Sequence, residues 1–143
     1  MKEITIGGRK IPLLYTTYEM IAIQKEIGCT AFQLKEEVFG IRLEDEDDPT
    51  SVRTEVASDP VKTEKFCKLL RILGNAGLEE NGQEGDLTDK WIMRHMKPVM
   101  IIPYAVTVMA EIWEGNQAEK PETEKGPKDL GLEEENAKKQ PGN

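Results

Sequence analysis

Residues 4–13, with the sequence ITIGGRKIPL, predict how the chain begins to fold. The isoleucines alternate with polar residues, and the Gly7-Gly8 pair tolerates the positive φ angles of a two-residue turn. The segment therefore predicts a β-hairpin with strands at residues 2–6 and 9–15. Pro12 has no N–H to donate, which restricts the second strand to an edge or a bulge. Because a lone hairpin is only marginally stable, we expect its apolar face to rest on helices.

Two helices are predicted directly after the hairpin, at residues 16–27 and 30–39. Each begins with a capping box, in which a threonine and a Glu or Gln three residues later satisfy free N–H groups of the first turn. The boxes start at Thr16 and Thr30, and Gly28 and Gly40 are suited to end the two helices.

Three further helices are predicted from similar signals. The third begins at Asp59-Pro60 and is expected to end at Leu73, because Gly74 or Gly77 stops it. The fourth begins at residues 87–89 and breaks near residue 97, where Pro98 follows.

The last helix, from Pro98 to about residue 114, is apolar on most sides. It is therefore predicted to be the central helix of the core, with a kink at Pro103. The helical spacing of apolar residues in this helix is formed by Ile102, Val106, Met109 and Trp113. The alternative is that these apolar positions form a groove that binds a partner.

Charge divides the chain into two parts. The 143 residues carry a net charge of −8, with 38% hydrophobic and 32% charged residues. Residues 116–143 contain only four apolar residues, too few to offset the entropy of ordering them. The sequence thus predicts one mainly α (α+β) domain at 1–115, a hairpin packed on about five helices, and a disordered acidic tail at 116–143. A second polar run, 44–51, is predicted to be an exposed loop.

The acidic balance argues against a nucleic-acid partner, because a negative chain is repelled by phosphates. No apolar stretch reaches the roughly 18 residues of a membrane span, and no signal-peptide pattern is found. Cys29 and Cys67 are expected to be buried free thiols. We therefore expect a cytoplasmic protein without a membrane partner.

Catalytic and metal-binding motifs are not found in the sequence. His95 is the single histidine, and no serine or cysteine motif accompanies it. The acidic run at 44–48 lacks the spacing of a calcium-binding EF-hand loop, so a solvated loop is expected there. We expect no enzyme activity, no cofactor and no metal.

The order of these features resembles the tail assembly chaperones of long-tailed bacteriophages, especially those of phages and prophages of Gram-positive bacteria. The resemblance covers about residues 1–115. The resemblance rests on the hairpin, the helix YEMIAIQKEIG (18–28), the segment LLRILGNAGL (69–78), the helix start at Leu87-Thr88 and the long apolar last helix. Pro98 and Pro103 depart from the family pattern.

The resemblance implies a non-catalytic chaperone that binds the tape measure protein and keeps it soluble while the tail is assembled. The tail tube protein and further copies of the chain are additional expected partners. Two alternatives remain open: a head–tail connector or minor tail protein of the virion, and a cytosolic helical adaptor.

A set of methionine and aromatic residues in the last two helices is the predicted protein-binding surface. Such side chains bind apolar helices adaptably, although filling the core is their more usual role. The set consists of Trp91, Met93, Met96, Met100, Tyr104, Met109 and Trp113.

Overall fold

In the computed structural model, which describes residues 1–117, the chain begins with the predicted hairpin. Strands β1 (Lys2–Ile6) and β2 (Arg9–Leu13) pair antiparallel, with Ile4 opposite Ile11. Gly7 and Gly8 have φ angles of 57° and 80°, as the two-residue turn requires. The isoleucine side chains of both strands are buried, so the hairpin's apolar face belongs to the core.

Helices make up most of the rest, which confirms the predicted mainly α (α+β) class. The capping boxes at Thr16 and Thr30 are both present, and the Asp59 and Thr88 side chains cap the third and fourth helices. The elements are α1 (Thr17–Glu26), α2 (Ala31–Glu37), β3 (Arg42–Leu43), β4 (Val52–Arg53), α3 (Pro60–Glu80), α4 (Asp89–His95), a 3-10 turn (Pro98–Met100) and α5 (Ile101–Gly115).

The polar run at 44–51 forms the loop of a second, very short hairpin, β3–β4. Most of its residues are exposed, as predicted. The predicted disordered tail lies outside the described residues from position 118 onward.

The predicted end of the third helix was wrong. Helix α3 continues through Gly74 and Gly77 to Glu80, and the chain turns at Gly82, with φ of 76°. The two glycines face neighbouring structure: a Cβ at Gly77 would lie 2.0 Å from the backbone oxygen of Pro12. They therefore let β2 lie directly against the helix, and the helix gains packing that outweighs the low helix propensity of glycine.

Helix α3, and not the last helix, is the central helix of the described domain. It carries nine buried residues, including Phe66, Leu70 and Leu73. The backbone N–H of Leu14 donates to the Leu73 carbonyl oxygen at 3.1 Å, which attaches the end of β2 to the helix. Helices α1 and α4 pack on other parts of α3.

Helix α5 packs on the opposite strand of the hairpin, β1. The predicted kink at Pro103 was wrong: Pro103 lies in the first turn of α5, where a backbone N–H has no helical hydrogen bond to lose. The helix geometry changes from 3-10 to α at residues 100–101. The buried residues of α5 are Ile101, Ala105, Val108 and Ile112, one position away from the predicted set.

Replacing Gly77 with Ala tests the contact between α3 and β2. In an open helix this change stabilises by about 1 kcal/mol. Here the new methyl group would meet the Pro12 backbone, so we expect a loss of about 3 kcal/mol or more in the free energy of unfolding. Urea unfolding measures the difference. Gly74→Ala is the control, because its Cβ would meet side-chain methyl groups of Leu87 and Ile11 at 2.7 and 2.8 Å, which yield more easily than backbone. Equal stability of the Gly77→Ala variant and the parent would contradict this account.

Candidate protein-binding surface

An ion-pair network positions α4, which carries two of the predicted binding residues, Trp91 and Met93. Asp89, the first residue of α4, accepts hydrogen bonds from Arg71 Nε at 2.6 Å and from Lys68 Nζ at 3.1 Å. Arg71 also reaches Glu26 at the end of α1, at 2.5 Å. The network therefore joins α1, α3 and α4 at one place.

The charges of this network shift the pKa values of its members. Burial alone would raise the pKa of Asp89, but the hydrogen bonds and charges of Arg71 and Lys68 outweigh it and hold the pKa below its ordinary value. Arg71 is likewise partly buried, and its two carboxylate partners raise its pKa. Both groups are thus held in their charged forms.

Two of the predicted binding residues have structural roles. Met96 is buried in the core. The Tyr104 hydroxyl donates to the backbone carbonyl of Thr5 on β1, and Glu111 of the same helix accepts from the backbone N–H of Lys2 at 3.0 Å. Tyr104 and Glu111 therefore attach α5 to β1; Met96 has no free surface, and Tyr104 is half-buried.

The remaining predicted residues do not form one surface. Trp91 stacks on His95, with ring centroids 4.5 Å apart, and the His95 ring packs under the turn at Gly7. Met100 is half-buried, and Met93 is exposed beside the start of α3. The predicted set is therefore divided among the core, the pair of Trp91 and His95, Met93 beside the start of α3, and the residues on α5.

A row of apolar side chains on α5 is left uncovered by the domain. We call Ile102, Val106, Met109 and Trp113 the outer row. Val106 is 57% exposed and Trp113 is 68% exposed, while Met109 packs partly against the core. The buried residues of α5 have the same spacing, shifted by one position, so the helix has two adjacent apolar faces and only one is used in the core.

No charged side chain lies within the outer row. The only charged residues of α5 are Glu111 and Glu114, and both are engaged with Lys2: Glu111 through the backbone, and Glu114 through an ion pair of 3.1 Å. Periodicity had identified all four members of the row but assigned them to the core. Ile102 and Val106 were missing from the predicted surface because the sequence criterion selected only methionine and aromatic residues.

The two cysteines in residues 1–117 are poorly suited to act as nucleophiles. Both cysteines are buried and free, and burial, with the nearby charges of Asp89 and Glu64, raises the pKa of Cys67 to about 11. Such a thiol carries almost no thiolate at neutral pH. In this part of the chain, no three His, Cys, Asp or Glu residues are placed to hold a metal ion.

Comparison of the chain with protein-family models, curated proteins and solved structures finds no match. Within residues 1–117, no single helix is both long and apolar enough to cross a membrane. Helix α4 and the stretch Pro98–Gly115 meet those criteria only when taken together, and they are bent by 103° relative to each other.

Replacing Asp89 with Asn tests the network that positions α4. We expect the free energy of unfolding at pH 7 to fall by about 1–2 kcal/mol, since hydrogen bonds to charged groups are lost. Because the folded-state pKa of Asp89 is lowered, its contribution is complete above the unfolded pKa of about 3.9 and is lost as pH falls through the folded value. The difference between variant and parent should therefore shrink in urea unfolding at pH 3. Asp86→Asn, which removes an exposed pair with Arg9, should have a much smaller effect.

Proposed function

We propose that this protein is a non-catalytic tail assembly chaperone that binds the tape measure protein of a long-tailed phage in the host cytoplasm. The observation that carries the proposal is the outer row of α5, an uncharged apolar face on a helix whose adjacent face is held firmly by the core. The order of elements described by the resemblance, a hairpin followed by short capped helices and a long apolar last helix, supports the same proposal.

The outer row has the dimensions of a site for one helix. Its four residues span eleven helical steps, which corresponds to roughly 16 Å. Side chains at such i, i+4 and i+7 positions are the usual anchors when two amphipathic helices pack together. Met109 can adapt its shape to different partner side chains. A long helical client with repeated apolar positions could thus be bound by many copies, each with a modest contact area.

The charge of the chain supports a solubilising role. Its net charge is −8, and the charged residues of α5 point away from the outer row. Copies bound along a client would expose acidic surface to solvent, so separate complexes of client and chaperone would repel one another. The client's apolar positions would be covered by the outer row, and the assembly would stay in solution until the tail tube protein replaces the chaperone.

Changing Val106 to Glu tests the outer row as the client surface. The full-length protein would be titrated by calorimetry with a helical fragment of the tape measure protein from the same phage or prophage. We expect at least about tenfold weaker binding, since an unpaired carboxylate would be buried against the client. Val52→Glu on β4 is the matched control, because Val52 is 56% exposed and receives the same charge. It should bind like the parent. No binding by the parent, or equal binding by the two folded variants, would contradict the proposal.

Mass spectrometry of purified particles separates this role from a structural one. A chaperone is displaced before the tail is complete, so we expect the protein in lysates of infected or induced cells and not in purified virions. A stoichiometric amount in the virion would instead favour a connector or minor tail protein.

A further inference from the structure

The central helix α3 ends at the only Asn-Gly pair of the sequence, Asn81-Gly82. Asn81 is the last residue before the helix direction is lost, and Gly82 follows it with a φ of 76°. The N–H of Gly82 donates to the Glu79 carbonyl oxygen at 3.0 Å, and the N–H of Gln83 donates to the Leu78 carbonyl oxygen at 2.8 Å. These two bonds form a Schellman motif, which explains why glycine occupies position 82.

The same pair of residues has a chemical reactivity that the turn does not need. The backbone nitrogen that follows an asparagine can attack the side-chain amide carbon and close a five-membered succinimide ring. Glycine is the residue that hinders this attack least, because it has no Cβ beside the nitrogen. Asn81 and Gly82 are both exposed, and no atom lies within 4 Å of the place where a Cβ of Gly82 would stand. Water therefore has access to the reacting groups.

Two other asparagines in residues 1–117 lack this combination. Asn75 lies within α3 before an alanine, and its side chain donates to the backbone of Leu87 at 3.1 Å and accepts from it at 2.8 Å. Asn116 precedes a glutamine, and its side-chain oxygen accepts from the Tyr15 hydroxyl at 3.4 Å. Asn81 is exposed, and within residues 1–117 no hydrogen bond holds its side chain. Its amide is thus free to turn toward the next peptide group.

We propose that Asn81 is a site of spontaneous deamidation, which converts it to aspartate or isoaspartate. The Gly82 nitrogen forms a bond to Cγ of Asn81 while the bond from Cγ to Nδ2 breaks, and Nδ2 leaves as ammonia with the proton from the Gly82 nitrogen. Water then opens the ring. Breaking the new bond at Cγ gives aspartate, and breaking the original peptide bond gives isoaspartate. The reaction needs only water, and it goes beyond the proposed function without depending on it.

The helix end controls how often the reaction starts. In the closed turn the Gly82 N–H is bonded to Glu79, and Asn81 has a ψ of 13°, which must change before the ring can close. Helix ends fray, and such local opening requires far less free energy than global unfolding. The reaction therefore occurs in the folded protein whenever the last turn of α3 opens, at a rate below that of the unfolded chain.

Deamidation weakens the end of the central helix. It adds a carboxylate next to Glu79 and Glu80, at the helix terminus where the dipole already disfavours negative charge. Isoaspartate also adds a methylene group to the main chain, so the spacing of the two Schellman bonds is lost. The modified chain is therefore expected to unfold more easily than the parent.

Peptide mapping by mass spectrometry tests the reaction. The full-length protein would be incubated in mildly alkaline buffer and digested at intervals. We expect progressive loss of the unmodified peptide that contains Asn81 and the appearance of two products with the mass of the aspartate form, whereas Asn75 and Asn116 stay unmodified. The loss should be faster in denaturing guanidinium chloride, where the turn is always open. No conversion of Asn81 in the folded protein, or equal rates with and without denaturant, would overturn the proposal.

The variant Asn81→Gln is the matched control for the effect on stability. It keeps an uncharged amide, but its attack by the Gly82 nitrogen would need a six-membered ring, which closes much more slowly. After incubation the parent should unfold at a lower urea concentration than fresh protein, and Asn81→Gln should show no such shift. An equal shift in the variant would assign the loss to another cause and contradict this account.

Discussion

The contact between the Gly77 backbone of α3 and the Pro12 backbone of β2 is the constraint on which the other packing depends. The two backbones are so close that no side chain fits between them. The hairpin therefore lies directly on the central helix, and its isoleucines join the core formed by Phe66, Leu70 and Leu73. Once β2 is seated on α3, β1 is the strand that remains open to a further element.

Helix α5 takes that place, and its attachment decides which of its faces is free. Tyr104 and Glu111 bind backbone groups of β1, so the helix cannot rotate about its axis without losing both. Ile101 and Val108 then point into the core, and Val106 and Trp113 point to solvent. The surface that we propose for client binding is thus a consequence of how the sheet edge is covered.

Local signals were predicted well because they act within a few residues. The capping threonines, the glycine turn of the first hairpin and the start of α3 at Asp59-Pro60 all depend on neighbours three or four positions away. The prediction failed where a residue had two possible uses. Gly74 and Gly77 could stop a helix or admit a neighbouring strand, and nothing nearby in the sequence distinguishes the two.

The sequence by itself determined the first hairpin and the five helices, their order, the apolar character of the last helix and the members of the outer row. Only the tertiary structure decided that α3 is central, that Met96 and Tyr104 have structural roles, and that the outer row is exposed. The physical reason is that both rows of α5 have the same spacing and similar hydrophobicity, so periodicity cannot rank them. The choice comes from contacts between residues far apart in the chain, such as Tyr104 with Thr5 and Gly77 with Pro12.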